Sequence, residues 1–296
     1  MNSERRPDGV NTGVADVLSR SARPPDLVLR YGDGPDNVAD VHVPAAAVTA
    51  ADRTGERALL TIFIHGGFWR AQYGREHTAP LAAALAASGF VVCAPEYRRI
   101  GQLGGGWPGT FDDVAAAVDR LPGLVAEATG GLVAADAGGV ILAGHSAGGH
   151  LALWAASRHM LPSGSPWYKD RPGWRGVVAL AAVSDLVGAQ RRALSQQAVG
   201  TLMGGGPAEV ADDRYWQADP ARLLPAGGPV WLLHGMADDQ VPYLMSLDYA
   251  RWARAAGARA AAATCVLLPG AGHFEVVDPL SREWPQVVEA FWRVGS

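Results

Sequence analysis

Ser146 stands in Gly144-His145-Ser146-Ala147-Gly148, a G-x-S-x-G arrangement whose flanking pattern puts an apolar strand before it and a helix after it. A sharp strand-to-helix turn of this kind lifts a serine hydroxyl clear of a sheet, and the flanking glycines remove side chains that would collide with neighbouring backbone. The amides of a helix opening at Ala147 point at any negative charge that develops beside Ser146. Such a serine can attack a carbonyl, provided a base takes its proton and a carboxylate orients that base. Both partners follow in chain order. His234-Gly235-Met236-Ala237-Asp238-Asp239-Gln240-Val241-Pro242 closes a strand and puts Asp238 on the loop beyond it, with Asp239 as the alternative for the same role. Gly270-Ala271-Gly272-His273-Phe274 closes the last strand in the same way and supplies His273 as the base.

His65-Gly66-Gly67-Phe68-Trp69 ends the first core strand, the place from which a second oxyanion-hole donor comes. The N–H of Gly67 or Phe68, together with that of Ala147, is expected to bind the oxygen of a tetrahedral intermediate. Phe68 and Trp69 put bulk beside the oxyanion glycines and are expected to contact substrate, while His65 fixes the loop by hydrogen bonding. His145 fills the variable position of the elbow and reads as structural. His42, His77, His150, His159 and His234 show no ligand spacing, and no H-E-x-x-H occurs, so neither metal nor cofactor is expected. Gly104-Gly105-Gly106 runs into Trp107-Pro108 rather than a helix, which predicts a flexible loop and not a phosphate cradle.

These residues need strands that end where the chemistry is. The β-branched apolar run 59–64 predicts the first buried strand, followed by a helix over 78–88, a strand over 90–94 and a helix from 110 to about 121, before Pro122. A strand over 140–143, a helix over 147–159 and strands over 177–181 and 230–233 follow. A helix over 243–256, a strand over 264–268 and a final helix from about 280 complete the chain. This alternation implies a mainly parallel sheet with helices on both faces. Two stretches break the rhythm, near 160–175 and 184–229, the second with a helical piece near 191–203, and both read as lid or cap segments.

The 296 residues fit one domain over 31–296 behind a polar lead-in over 1–30. At 49% hydrophobic and 18% charged, the composition suits strands covered on both faces. A formal charge of −4 offers no cationic field for nucleic acid or anionic lipid. No apolar stretch is long enough to span a bilayer, and residues 1–22 hold no signal-like apolar run, so a cytoplasmic protein is expected. Cys93 and Cys265 sit in apolar strand-like runs without metal or redox spacing and should remain buried, unpaired thiols.

Taken together, His65 to Trp69, the run Gly144-His145-Ser146-Ala147-Gly148-Gly149-His150-Leu151-Ala152 and the run Gly272-His273-Phe274-Glu275-Val276-Val277 resemble the serine-dependent kynurenine formamidase (arylformamidase) branch of the α/β-hydrolases. The resemblance covers the chain from about Tyr31 onward. It implies the α/β-hydrolase fold with a small cap, a triad of Ser146, Asp238 and His273, and the 65–69 loop as the oxyanion loop. The activity it implies is hydrolysis of N-formylkynurenine to kynurenine and formate, the alternative being a carboxylesterase acting on small acyl esters. A third reading is a catalytically inactive binding protein on the same fold. The expected partner is a small-molecule substrate, and a second copy in a homodimer is compatible with the sequence.

Overall fold

The computed structural model describes residues 17, 19–45, 57–134, 136–170, 173–210, 212–257 and 263–296; most of the N-terminal lead-in therefore lies outside the described residues. Eight strands form one sheet: β1 (Leu27–Arg30), β2 (Val38–His42), β3 (Leu60–Ile64), β4 (Val91–Pro95), β5 (Val140–His145), β6 (Gly176–Leu180), β7 (Val230–Gly235) and β8 (Ala263–Leu268). Their order is β1-β2-β4-β3-β5-β6-β7-β8. From β4 to β8 every pairing is parallel, whereas β1 and β2 run antiparallel at one edge.

Alternation along the strands explains both layers of helices. In β5, Val140 and Leu142 face one core while Ile141 and Ala143 face the other, and in β6 Val177 and Ala179 part from Val178 and Leu180 in the same way. On the first face pack α2 (Gly109–Ala128), α3 (Ala147–Ala156) and α7 (Leu244–Ala255); α1 (Ala79–Ala87) and α8 (Trp284–Gly295) cover the second. In α2, Phe111, Val114, Val118, Leu121 and Val125 recur at helical spacing and are all buried. That stripe carries the helix through Pro122 to Ala128, past the end expected from the sequence, because the packing outweighs one missing backbone donor. The last helix starts at Trp284, after the turn of 3-10 helix at Glu275–Val277, and not near 280.

Strands β1 and β2 fall partly within and beside the segment read as a polar lead-in. β1 alternates half-buried and exposed residues over four positions, too short a run for an apolar signal. Cys93 lies on β4 and Cys265 on β8, five strands apart, and both thiols are free. No helix among the described residues is long and apolar enough to cross a membrane.

Between β6 and β7 the chain forms a cap with three short helices, α4 (Leu186–Arg191), α5 (Leu194–Met203) and α6 (Asp212–Ala218). The second covers most of the helical piece expected over 191–203, and the first ends at its first residue. The cap is fastened to the main body by His150 Nε2 to Ala218 O at 2.9 Å, Trp154 Nε1 to Gln217 O at 2.8 Å and Trp107 N to Leu202 O at 2.8 Å. Residues 160–175 lead toward the same place: Trp167 is buried against Phe111 and Trp154, and Ser165 Oγ meets Gln217 Oε1 at 3.1 Å.

Asp219, just after α6, is buried and accepts from Val187 N at 3.3 Å and Ala221 N at 3.2 Å. Burial first, and then the Asp185 carboxylate, push its pKa from 3.8 up to about 7. A carboxyl raised in the folded state favours folding below its unfolded pKa, and that contribution is lost as pH rises to the folded value. We therefore expect Asp219→Asn to gain stability relative to wild type between pH 4 and about pH 7, with no further gain above, as read from urea unfolding midpoints. A difference between the two proteins that stays constant with pH contradicts this account.

Candidate active site

β5 passes into α3 through Ser146, which sits at φ 56° and ψ −117°, outside the regions an L-residue ordinarily adopts. Three backbone bonds hold it there: Ser146 N donates to Leu180 O at 2.8 Å, and Ser146 O accepts from Val183 N at 3.2 Å and from His150 N at 3.1 Å. Glycine is required two residues on, since a Cβ at Gly148 would lie 2.0 Å from Ile64 O. As the first residue of α3, Ala147 has an amide without an intrahelical acceptor, directed to the side where Ser146 lies. Ser146 is only 2% exposed.

Asp238 and His273 meet on the loops that follow β7 and β8, the last two strands of the sheet. Asp238 Oδ2 lies 2.6 Å from His273 Nδ1, and its Oδ1 accepts from Gln240 N and Val241 N, both at 2.8 Å. Burial alone would raise this carboxyl, but hydrogen bonds from His234 and His273 outweigh it and hold Asp238 well below the usual carboxylate range. Asp239 is exposed and pairs with the amide of Gln240 at 3.0 Å. The geometry thus puts Asp238, and not its neighbour, on the histidine. With Nδ1 taken, Nε2 is the ring atom left to exchange a proton.

The 65–69 loop lies against the elbow. A Cβ at Gly66 would fall 3.2 Å from Ser146 Cβ, and Gly67, Phe68 and Trp69 follow at φ 105°, 47° and 57°. Phe68 is half-buried, whereas Trp69 is wholly buried, its indole edge-on to His150 with ring centroids 5.3 Å apart. Behind the loop, His65 Nε2 meets Glu96 Oε1 at 2.7 Å and Nδ1 meets Gly66 O at 2.8 Å. Tyr97 stacks on that imidazole at 4.4 Å and donates its hydroxyl to His65 O at 2.9 Å. Burial would raise Glu96, but the hydrogen bond and charge of His65, then Arg99 and the Arg75 amide, lower it, so a carboxylate stands behind the glycines. From above, Arg70 Nη2 donates to Ser195 O at 2.5 Å and ties the loop to the cap.

The elbow histidine, expected to be structural, joins two loops. His145 Nε2 lies 2.9 Å from His273 O, and burial followed by the nearby His273 ring hold His145 neutral, its pKa well below the histidine norm. It therefore donates to that carbonyl and links the elbow to the base's loop across 128 residues of chain. No local pattern could have revealed either this bond or the His65–Glu96 pair, because their partners are remote in sequence. Among the described residues no group of three or more metal-ligating side chains converges.

A profile of the BD-FAE family matches residues 48–252. A kynurenine formamidase from Salmo salar is 28% identical over 163 residues, which are 54% of this chain and 47% of that protein; the chain thus matches about half the relative's length. Among solved structures, a propionate-bound esterase from Thermogutta terrifontis superposes with a TM-score of 0.65 at 21% identity, covering 90% of this chain and 92% of that one. A truncated carbohydrate esterase from gut microbiota gives 0.67 at 20% identity, covering 92% and 99%. At these identities the structures speak for the fold, which is that of the α/β-hydrolases.

Gly67 permits a direct test of the loop. A Cβ there would lie 2.4 Å from Tyr73 Cβ, and the positive φ adds roughly 1 to 2 kcal/mol for any L-residue. We expect Gly67→Ala to lower the Tm by several degrees, and Tyr73→Gly in the same chain, which removes the clashing Cβ together with the ring, to recover the steric part but not the backbone part. An unchanged Tm for the single variant contradicts the loop conformation.

Proposed function

The chain belongs to the BD-FAE family of α/β-hydrolases, and on that footing we propose that it is a serine hydrolase removing a small acyl group through an acyl-serine intermediate, with N-formylkynurenine as its substrate. The observation that carries the reading is the 2.6 Å pair of His273 Nδ1 and Asp238 Oδ2, on a loop that His145, the residue before Ser146, bonds to the strand-to-helix elbow at 2.9 Å. His273 Nε2 takes the proton of Ser146 Oγ as that oxygen bonds to the carbonyl carbon. Asp238 holds the tautomer and balances the imidazolium charge. The oxyanion accepts from the amides of Ala147 and of Gly67 or Phe68, an interaction in which each donor is worth about 2.7 to 4 kcal/mol at the barrier. Collapse expels the arylamine, protonated by the imidazolium, and leaves formyl-Ser146. Water, deprotonated by the same ring, then releases formate and restores the serine.

Support for a formyl substrate comes from the resemblance of three sequence runs to the formamidase branch, from the Salmo salar relative, and from Phe68. Its half-buried ring follows the two glycines directly, so space beside the acyl carbon is short and Phe68 is the substrate contact. Trp69 supports the loop from behind. The second reading, a carboxylesterase for small acyl esters, uses the same residues and is favoured by the esterases among the similar solved structures.

Ser146→Ala should abolish both hydrolysis and labelling by a fluorophosphonate, leaving the fold intact. Asp238→Asn should cut kcat by up to about 10⁴ by favouring the wrong tautomer, whereas Asp239→Asn should be mild. The reverse ranking of the two aspartates, or full turnover by the serine variant, would falsify these roles.

Acyl size separates the two substrates. Each methylene added beside Phe68 must displace packed side chains at typically about 1 to 3 kcal/mol, so kcat/KM should fall from formyl to acetyl to butyryl on one aryl leaving group. Phe68→Gly should flatten the series. Equal or faster wild-type turnover of butyryl esters sinks the formamidase reading in favour of the carboxylesterase.

A further inference from the structure

His234 has no place in the acyl-serine steps, yet its imidazole touches the carboxylate on which they depend. The side chain is fully buried near the end of β7. Its Nε2 lies 3.1 Å from Asp238 Oδ2 and 2.9 Å from Val241 O. A carboxylate and a carbonyl only accept, so Nε2 must carry a hydrogen. In the neutral ring Nδ1 is then the acceptor, and it receives the hydroxyl hydrogen of Ser246, whose Oγ on α7 stands 2.7 Å away. Ser246 is itself buried, so nothing from solvent competes for that bond.

Asp238 is thereby held by four donors. Two backbone amides fix Oδ1, and two imidazoles share Oδ2, that of His273 at 2.6 Å and that of His234 at 3.1 Å. The amides alone would anchor one end of the carboxylate and leave the other free to turn. His234 secures that other end from a second direction. It also draws charge from the oxygen to which His273 is bound, because hydrogen bonds sharing one acceptor in a dry site polarise each other.

We infer that His234 is a positioning residue: through Oδ2 of Asp238 it sets the orientation and basicity of the carboxylate that holds His273. The inference rests on the reading of Asp238 and His273 as acid and base. Ser246 belongs to the same device, since its hydroxyl donates to Nδ1 and so polarises the N–H that Nε2 directs at Asp238.

The test uses the full chain with p-nitrophenyl acetate as the probe and three variants. His234→Phe keeps the ring volume and removes both nitrogens, His234→Gln returns an N–H donor, and Ser246→Ala leaves the imidazole in place but removes the donor to its Nδ1. Per folded molecule, His234→Phe should lose roughly tenfold to a hundredfold in kcat with KM little changed, His234→Gln should recover most of it, and Ser246→Ala should fall between. The far-downfield proton resonance of His273 Nδ1–H should move in His234→Phe and Ser246→Ala and return toward its wild-type position in His234→Gln. If His234→Phe does not fold, the other two variants decide. Wild-type kcat and an unmoved resonance in Ser246→Ala and in any folded His234→Phe overturn the inference and leave His234 as packing. Full turnover by Ser146→Ala instead removes the serine reading itself, a failure the resonance does not share.

Discussion

The turn from β5 into α3 puts Ser146 at φ 56° and ψ −117°, a conformation that costs on the order of 1 to 3 kcal/mol and would relax if its surroundings allowed. They do not. Backbone bonds to Leu180 and Val183 hold it on one side, and on the other α3 crosses β3 so closely that Gly148 has room for no side chain. Sheet order then distributes everything else. β3 neighbours β5, so the loop leaving Ile64 arrives beside the serine. β7 and β8 are adjacent and in register from Val230 with Ala263 to Gly235 with Leu268, so the loops beyond them bring Asp238 and His273 together.

Three buried histidines recur at one level of the sheet: His65 just beyond β3, His145 closing β5 and His234 near the end of β7. Each contacts a group on a loop at this end of the sheet: Glu96, the carbonyl of His273 and, on the loop that follows β7 itself, Asp238. An imidazole suits such places because two polar nitrogens on one rigid ring can join two groups while excluding water. In a dry environment leaving either group unpaired is expensive, so the joints are stiff. The cap adds a fourth constraint through Arg70 and Ser195, making the loop beside the serine part of both the body and the roof.

Most of this was legible where chemistry is local. The elbow, the His-Gly-Gly loop and the order of Ser146, Asp238 and His273 depend on residue types within a few positions of each other, and the strands that carry them are continuous apolar runs. Other features lacked such signals. β1 and β2 are short strands with charged residues, the first of them at the edge of the sheet, and α2 passes Pro122 because of a buried stripe that a reading of breakers undervalues. Choosing between Asp238 and Asp239 needed three dimensions, since adjacent residues on a loop point different ways. Trp69 looked like a substrate contact from its neighbours, but its left-handed backbone turns the indole into the core. His234 stands four residues before Asp238, a spacing that hints at contact only once the intervening loop is known to fold back.

The backbone at Phe68, with φ 47°, favours glycine or asparagine over the aromatic residue that occupies it. Two effects oppose each other at this position. The half-buried ring packs against the core, and the stabilisation from that contact is offset in part by the left-handed backbone that carries it. Glycine would relax the chain and forfeit the contact, so the loop keeps its aromatic residue only as long as packing outweighs the strain beneath it.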